Sequence, residues 1–195
     1  MSETDNPMAL TETASRTTYQ EFIKLEIPDD DDHIYELLDG EIVKYSAPES
    51  RHQIVLANLH LIMGSHVKQK KLGRVLFAPL SVMLGEHSAP QPDLLFVATK
   101  NLSRIEKKCV MGAPDLVVEI ISPGSVVRDR VQKRGIYEKA GVPEYWIIDP
   151  KYFSVEIYQH TPSGYTLFHD VEGEGVVKSK IIKGLKIDVQ DIFAE

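Results

Sequence analysis

The sequence has one cysteine, Cys109, so it can form no internal disulfide and offers no thiolate cage for a metal. No apolar run approaches the roughly 20 residues that a bilayer-spanning helix needs. The N-terminus lacks the basic start and apolar middle of a secretory leader. Together these features point to a reducing cytoplasm. Internal repeats and linker-like stretches are also missing. A single domain over residues 17–195 is therefore expected, behind a polar tail over residues 1–16 with too little to bury to stay ordered. Excess positive charge is absent as well, since the net charge is −7. That charge is local: residues 1–32 carry nine acids and two bases, and residues 33–195 carry 20 of each. The bulk of the chain is neutral and holds basic clusters, among them Arg128, Arg130, Lys133 and Arg134. Such clusters can neutralise phosphates, or can simply be solvated helix faces.

The most informative stretch runs from Pro114 to Asp149. Leu116–Ile121 is an apolar, β-branched run with Glu119 in its middle, which reads as a strand buried on both faces. Ser122–Ser125 turns the chain, with Ser125 placed as an N-cap, and a helix is expected to about Ala140. Gly141 and Pro143 end that helix, and Glu144–Asp149 forms the next strand. Strand, helix and strand at this spacing make a βαβ unit with parallel neighbours and a right-handed crossover. Asp129, Lys133 and Tyr137, spaced i, i+4, i+8, share one stripe of the helix. Gly135 costs roughly 1 kcal/mol in a helix interior, so a close backbone approach is expected there.

Upstream, Asp29–Asp32 should repel one another in an exposed loop. Asp39-Gly40 between two apolar runs predicts a hairpin with a type I′ turn. Ser50–Lys70 reads as a helix, in which Ile54, Ala57, Leu61, His66 and Val67 recur with helical spacing. Strands follow at Arg74–Phe77, Ser81–Leu84 and Pro92–Ala98. An antiparallel hairpin around Pro162-Ser163-Gly164 lies at the far edge. The fold class is α/β, with a mixed central sheet flanked by helices and added β-hairpins.

Two apolar strands each bring an acid, Asp93 and Glu119. Carboxylates converging from neighbouring strands make a hard-oxygen site suited to Mg2+ or Mn2+. A nearby amine such as Lys133 can orient water or stabilise a charged phosphorane. The competing structural roles are a strand-end cap for Asp93 and a buried ion pair with Lys133 for Glu119.

The order Pro92-Asp93, Glu119, Ser122-Pro123, Asp129, Lys133, Tyr137 and Gly141–Trp146 resembles the PD-(D/E)XK nuclease superfamily. Within it, the sequence is similar to the Uma-type family of restriction-endonuclease-like proteins. Tyr35–Glu41 and Ser50-Arg51-His52 look like that family's opening motif. The resemblance implies a restriction-endonuclease-like core and divalent-metal-dependent phosphodiester cleavage. It implies Asp93, Glu119 and the backbone carbonyl of Ile120 as metal ligands, with Lys133 positioning water and Glu36 as an accessory acid. His52, Tyr137, Arg128 and Arg130 take supporting or nucleic-acid-contacting places. One position departs from the superfamily pattern: two residues after the second acid stands Ile121, not lysine. The resemblance places that lysine on the following helix, at Lys133.

The reading is a Mg2+- or Mn2+-dependent endonuclease acting on nucleic acid, DNA above all, as a cytoplasmic homodimer. The competing readings are a non-catalytic nucleic-acid- or protein-binding module on the same fold, and a hydrolase of small phosphorylated molecules.

Overall fold

The computed structural model describes residues 16–28 and 30–195; the tail expected over residues 1–16 lies, apart from Arg16, outside them. In chain order the elements begin with α1 (Tyr19–Phe22), β1 (Ile34–Leu38), β2 (Glu41–Tyr45) and α2 (Ser50–Lys70). There follow β3 (Gly73–Phe77), β4 (Ser81–Met83), β5 (Leu94–Ala98), β6 (Cys109–Met111) and β7 (Leu116–Ile120). A π-helical segment, Arg128–Lys133, runs into α3 (Arg134–Lys139). The chain then makes β8 (Glu144–Asp149), β9 (Ser154–Thr161), β10 (Gly164–Glu172), β11 (Val176–Lys178), β12 (Lys186–Asp188) and α4 (Val189–Phe193). Among the described residues no helix is long and apolar enough to cross a membrane.

Six strands form the central sheet in the order β10-β9-β8-β7-β5-β3. Only β7 and β8 pair in parallel within it, as a crossover helix between them requires. β9 and β10 form the antiparallel hairpin at one edge. Alternation divides the strands between two cores. Leu116, Val118 and Ile120 face α2 and α4, packing with Val55, Leu59, Met63 and Trp146. Val117 and Ile121 face the crossover helix, packing with Leu95, Val97, Tyr137 and Tyr145. By this period of two Glu119 belongs to the second face, towards Lys133 and Tyr137. The register then brings its partner in. Leu94 pairs with Val118, so one step further sets Asp93 opposite Glu119, a separation at which side chains on one face meet.

The β1–β2 hairpin turns at Asp39 and Gly40, both at positive φ (50° and 88°), as a type I′ turn demands. Ala89 N–H bonds the Leu37 carbonyl (2.7 Å) and ties the hairpin to the segment leading to Asp93. Glu144 is buried, and among the described residues no cation pairs with it. Its carboxylate accepts from Trp146 Nε1 (2.7 Å), Ser179 Oγ (2.7 Å), Lys180 N–H (2.8 Å) and Gln159. Such a full set of donors is what lets an acid stay inside. It also fixes Trp146 in the core.

Four local expectations need correction. The buried face of α2 carries His52, Val55, Leu56, Leu59, Met63 and Val67, while Leu61 is 64% exposed and Ile54 also faces out. With Ile54, Val55 and Leu56 consecutive, several apolar stripes are available, and the sheet takes the one that includes His52. Asp31 is not a freely solvated member of an acidic loop. It accepts hydrogen bonds from Tyr35 Oη (2.7 Å), Lys44 Nζ (2.8 Å) and the His33 N–H (3.0 Å). Those donors, Lys44 first, hold its pKa well below the usual carboxylate range. Ser125 does stand just before the helix, which starts at Val126, and its carbonyl accepts from Asp129 N–H (2.8 Å). Its Oγ, however, closes the turn after β7 by accepting from Ser122 N–H (2.9 Å), not from the first helical turn.

The fourth correction concerns Gly135. A Cβ built there meets nothing within 4 Å, so no close approach explains it. Gly135→Ala should therefore stabilise the protein by about 0.5–1 kcal/mol through helix propensity and lost unfolded-state freedom. That corresponds to a rise of about 2–4 °C per kcal/mol in a thermal melt. An unchanged or lowered Tm would show that the site is not open.

Candidate active site

Four elements converge on one cleft of about 790 Å³, lined among others by Tyr45, His52, Asp93, Glu119, Asp129 and Lys133. β7 supplies Glu119, the residue just before β5 is Asp93, β1 supplies Glu36, and the π-helical turn supplies Asp129 and Lys133. The wide turn matters for placement. A π-bulge rotates the residues that follow it relative to a regular helix and is found preferentially at functional sites. Here Asp129, Lys133 and Tyr137 all point inward and are buried. Tyr145 on β8 donates its hydroxyl to the Asp129 carbonyl (2.9 Å), anchoring the turn to the sheet.

Lys133 is the hub. It is 1% exposed, and its Nζ lies 2.8 Å from Glu36 Oε1, 3.1 Å from Glu119 Oε1 and 4.0 Å from Asp129 Oδ1. Burial alone would depress the amine's pKa, but the charges of Glu119, Glu36 and Asp129 override it and keep Lys133 protonated. The carboxylates fare differently, since they share so few cations. Burial, together with the charges of Asp129, Asp93 and Glu36, pushes Glu119 well above the usual carboxylate range against the pull of Lys133. Asp129 moves up for the same first reason, burial, with Lys133 and Arg128 opposing.

Each of the two strand acids has one oxygen committed and one free. Glu119 Oε1 accepts from Lys133 and from Tyr137 Oη (2.6 Å). Asp93 Oδ2 accepts from Ile120 N–H (2.7 Å) and lies 3.2 Å from His52 Nε2. Among the described residues, no hydrogen bond reaches Glu119 Oε2 or Asp93 Oδ1. Glu36 is fully buried; its Oε1 accepts from Gln91 N–H (2.5 Å), and among the described residues its Oε2 has no partner. Four carboxylates thus face two permanent cations, Lys133 and Arg128. Unengaged oxygens of Asp93 and Glu119 in a cleft crowded with carboxylates are hard donors of the kind a divalent cation takes, so the donor set fits Mg2+ or Mn2+.

His52 sits at the cleft wall. Burial opposes its charged form, but the hydrogen bond to Asp93 and the charges of Asp93 and Asp129 win and raise its pKa above the ordinary value. Arg128 lies against the Tyr45 ring, its guanidinium carbon 4.0 Å from the centroid, with Nε 3.4 Å from Asp129 Oδ1. Stacking of that kind fixes a guanidinium while leaving its terminal donors available. Arg130, in contrast, is turned away from this cleft, to Glu156 and to Asp149 (3.6 Å).

Asp93, Glu119, Lys133, Glu36, His52, Tyr137, Arg128 and the main chain of Ile120 therefore meet at one place, and Arg130 does not join them. Asp129 and Tyr45 belong to the same cleft, as does Gln91, whose backbone N–H and side-chain amide tie Glu36 and Tyr35 together. The Pro90-Gln91-Pro92-Asp93 run, with prolines fixing an extended approach, was the available sequence signal for Gln91. The tightest trio of ligand-type groups among the described residues lies elsewhere, at Asp31, Asp32 and His33. Asp32 there is exposed, Asp31 is half-buried, and both Asp31 oxygens are already engaged.

The sequence matches the Uma2 family, described as "Putative restriction endonuclease", over residues 19–190. An uncharacterized protein of Synechocystis sp. is 23% identical over 141 residues, which cover 71% of this chain and 79% of that protein. A crystal structure titled as a putative nuclease from Anabaena variabilis shares the fold. The TM-score is 0.74 at 21% identity, over 90% of this chain and 97% of that one. The family match takes in every residue named above as part of the cleft, and the chain belongs to the Uma2 family of restriction-endonuclease-like proteins.

Proposed function

We propose that the protein is a divalent-metal-dependent endonuclease that hydrolyses phosphodiester bonds in DNA. The observation that carries this reading is one cleft lined by Asp93, Glu119 and the buried Lys133, with an oxygen of each acid left unengaged among the described residues. Asp93, Glu119 and the Ile120 carbonyl would hold Mg2+ or Mn2+. The bound ion supplies Lewis-acid polarisation of a phosphoryl oxygen and lowers the pKa of water. Lys133 donates to the attacking water and to the charge that develops on phosphorus. Ile120 N–H and His52 hold the Asp93 carboxylate in one orientation, and Tyr137 does the same for Glu119. Arg128, braced on Tyr45, meets a non-bridging phosphate oxygen as a planar donor. Glu36 keeps Lys133 charged and seated. A homodimer would bring two such sites to two strands.

The test is nicking of supercoiled plasmid by purified protein with Mg2+ or Mn2+. Cleavage is expected in metal, none in EDTA, and none from Asp93→Ala or Glu119→Ala. One feature favours a second reading, a binding module without catalysis. Position 121 holds a buried isoleucine, and the relocated Lys133 is locked among three acids. Absence of cleavage together with absence of millimolar-range metal binding in calorimetry would select that reading over the first.

A further inference from the structure

A second recess of about 800 Å³ adjoins the first, sharing Glu49, His52, Ser122 and Pro123 with it. Its other walls have a different chemistry. Arg51, Arg130, Lys151 and Tyr152 line it together with Glu49 and Asp149, and Arg130 is paired with Asp149 and Glu156, so cations stand among the acids here. Arg51 bonds the Phe193 carbonyl (3.1 Å), pairs with the exposed Glu195 carboxylate (3.4 Å) and lies over the Phe153 ring at 5.5 Å. Lys151 makes no ion pair among the described residues, and its Nζ stands 5.0 Å from the Tyr152 ring centroid. Tyr152 is 53% exposed. Phe153, also exposed, has φ of 50°, a left-handed backbone that a bulky aromatic adopts only at a cost. Such strain is retained where it presents side chains that matter. The turn between β8 and β9 thus holds out an exposed aromatic ring with an amine over one of its faces, at the rim of the carboxylate cleft.

We propose that this second recess seats an unpaired nucleotide of the strand whose phosphodiester lies in the first, so that single-stranded or locally melted nucleic acid is the preferred substrate. This rests on the nuclease reading above and names its substrate class. Three observations favour an unpaired strand over a duplex. Each recess has the size of a small-ligand pocket. The floor of the cleft is closed, with Glu119 and Lys133 only 2% and 1% exposed, so a phosphate must descend to reach them. An aromatic face can stack only on a base that is out of its helix, and cations beside it follow the backbone. The base would rest on Tyr152, with Lys151 and Arg51 near the adjoining phosphate.

Fluorescence anisotropy of a labelled oligothymidine, and of a blunt duplex of the same length, measures this directly in EDTA. The wild-type protein should bind the single strand more tightly than the duplex. Tyr152→Ala should weaken single-strand binding about tenfold, and Tyr152→Phe should restore it. Lys151→Gln should lower the slope of log affinity against log salt by roughly 0.7. Tighter duplex binding, or single-strand binding unchanged in both Tyr152→Ala and Lys151→Gln, overturns the proposal. If plasmid nicking persists in that case, the nuclease reading stands without it. Tyr152-dependent binding with no metal-dependent cleavage by any preparation has the opposite meaning: the strand site stands and the nuclease reading fails.

Discussion

Lys133→Met should lose cleavage and, without metal, about 3–5 kcal/mol of stability in the same variant. Methionine nearly matches the lysine stem in volume, so the loss is one of charge and not of packing. With the amine gone, Glu36 and Glu119 are left buried without the cation they share, and Asp129 keeps only Arg128 (3.4 Å). Removing one partner of a buried charge cluster costs far more than the cluster's net worth, because the survivors remain desolvated. Urea unfolding in EDTA reads the loss, and plasmid nicking reads the activity. Manganese should return part of the lost stability, since it neutralises the same acids. A variant as stable as wild type in EDTA would mean that water reaches these carboxylates, contrary to their burial.

Glu119→Gln and Asp93→Asn should behave in the opposite way on stability while sharing the loss of activity. Each amide keeps an oxygen for the donors already present: Tyr137 and Lys133 at position 119, Ile120 N–H at position 93. Each also removes one negative charge from a site with too many. Stability in EDTA should therefore hold or rise. Cleavage should fall about 10³-fold or more, the scale on which losing a metal's transition-state stabilisation is felt. Calorimetric titration with Mn2+ should lose its heat in both variants. If Glu119→Gln proved as destabilising as Lys133→Met, Glu119 would be an ion-pair partner first, and its free oxygen would have no assigned use.

The contrast between these variants reflects what the sequence could and could not disclose. The βαβ unit from Leu116 to Asp149 was legible because its punctuation is local: a proline-bounded apolar run, Gly141 and Pro143 after the helix, then a second apolar run. Asp39-Gly40 announced its turn in the same way. The inward stripe of Asp129, Lys133 and Tyr137 followed from helical spacing, even though the wide turn within it left no mark in the residues. What stayed hidden depends on partners distant in the chain. Which face of α2 is buried was decided by the sheet, not by the helix's own apolar pattern. The partners of Asp31 come from both strands of the hairpin. Glu144 looked like an ordinary strand residue, and only Ser179, Lys180, Gln159 and Trp146 together explain why it can be buried. Gly135 carried a signal that meant nothing structural, an ordinary helix position occupied by a poor helix former.

The central claim is that Asp93 and Glu119 share one divalent ion beside Lys133. A crystal soaked in manganese and measured near the metal's absorption edge tests it most directly. An anomalous peak bonded to Asp93 Oδ1 and Glu119 Oε2, within reach of the Lys133 amine, is the predicted result. A peak at Asp31, Asp32 and His33 alone, or no peak in the cleft at all, would contradict it.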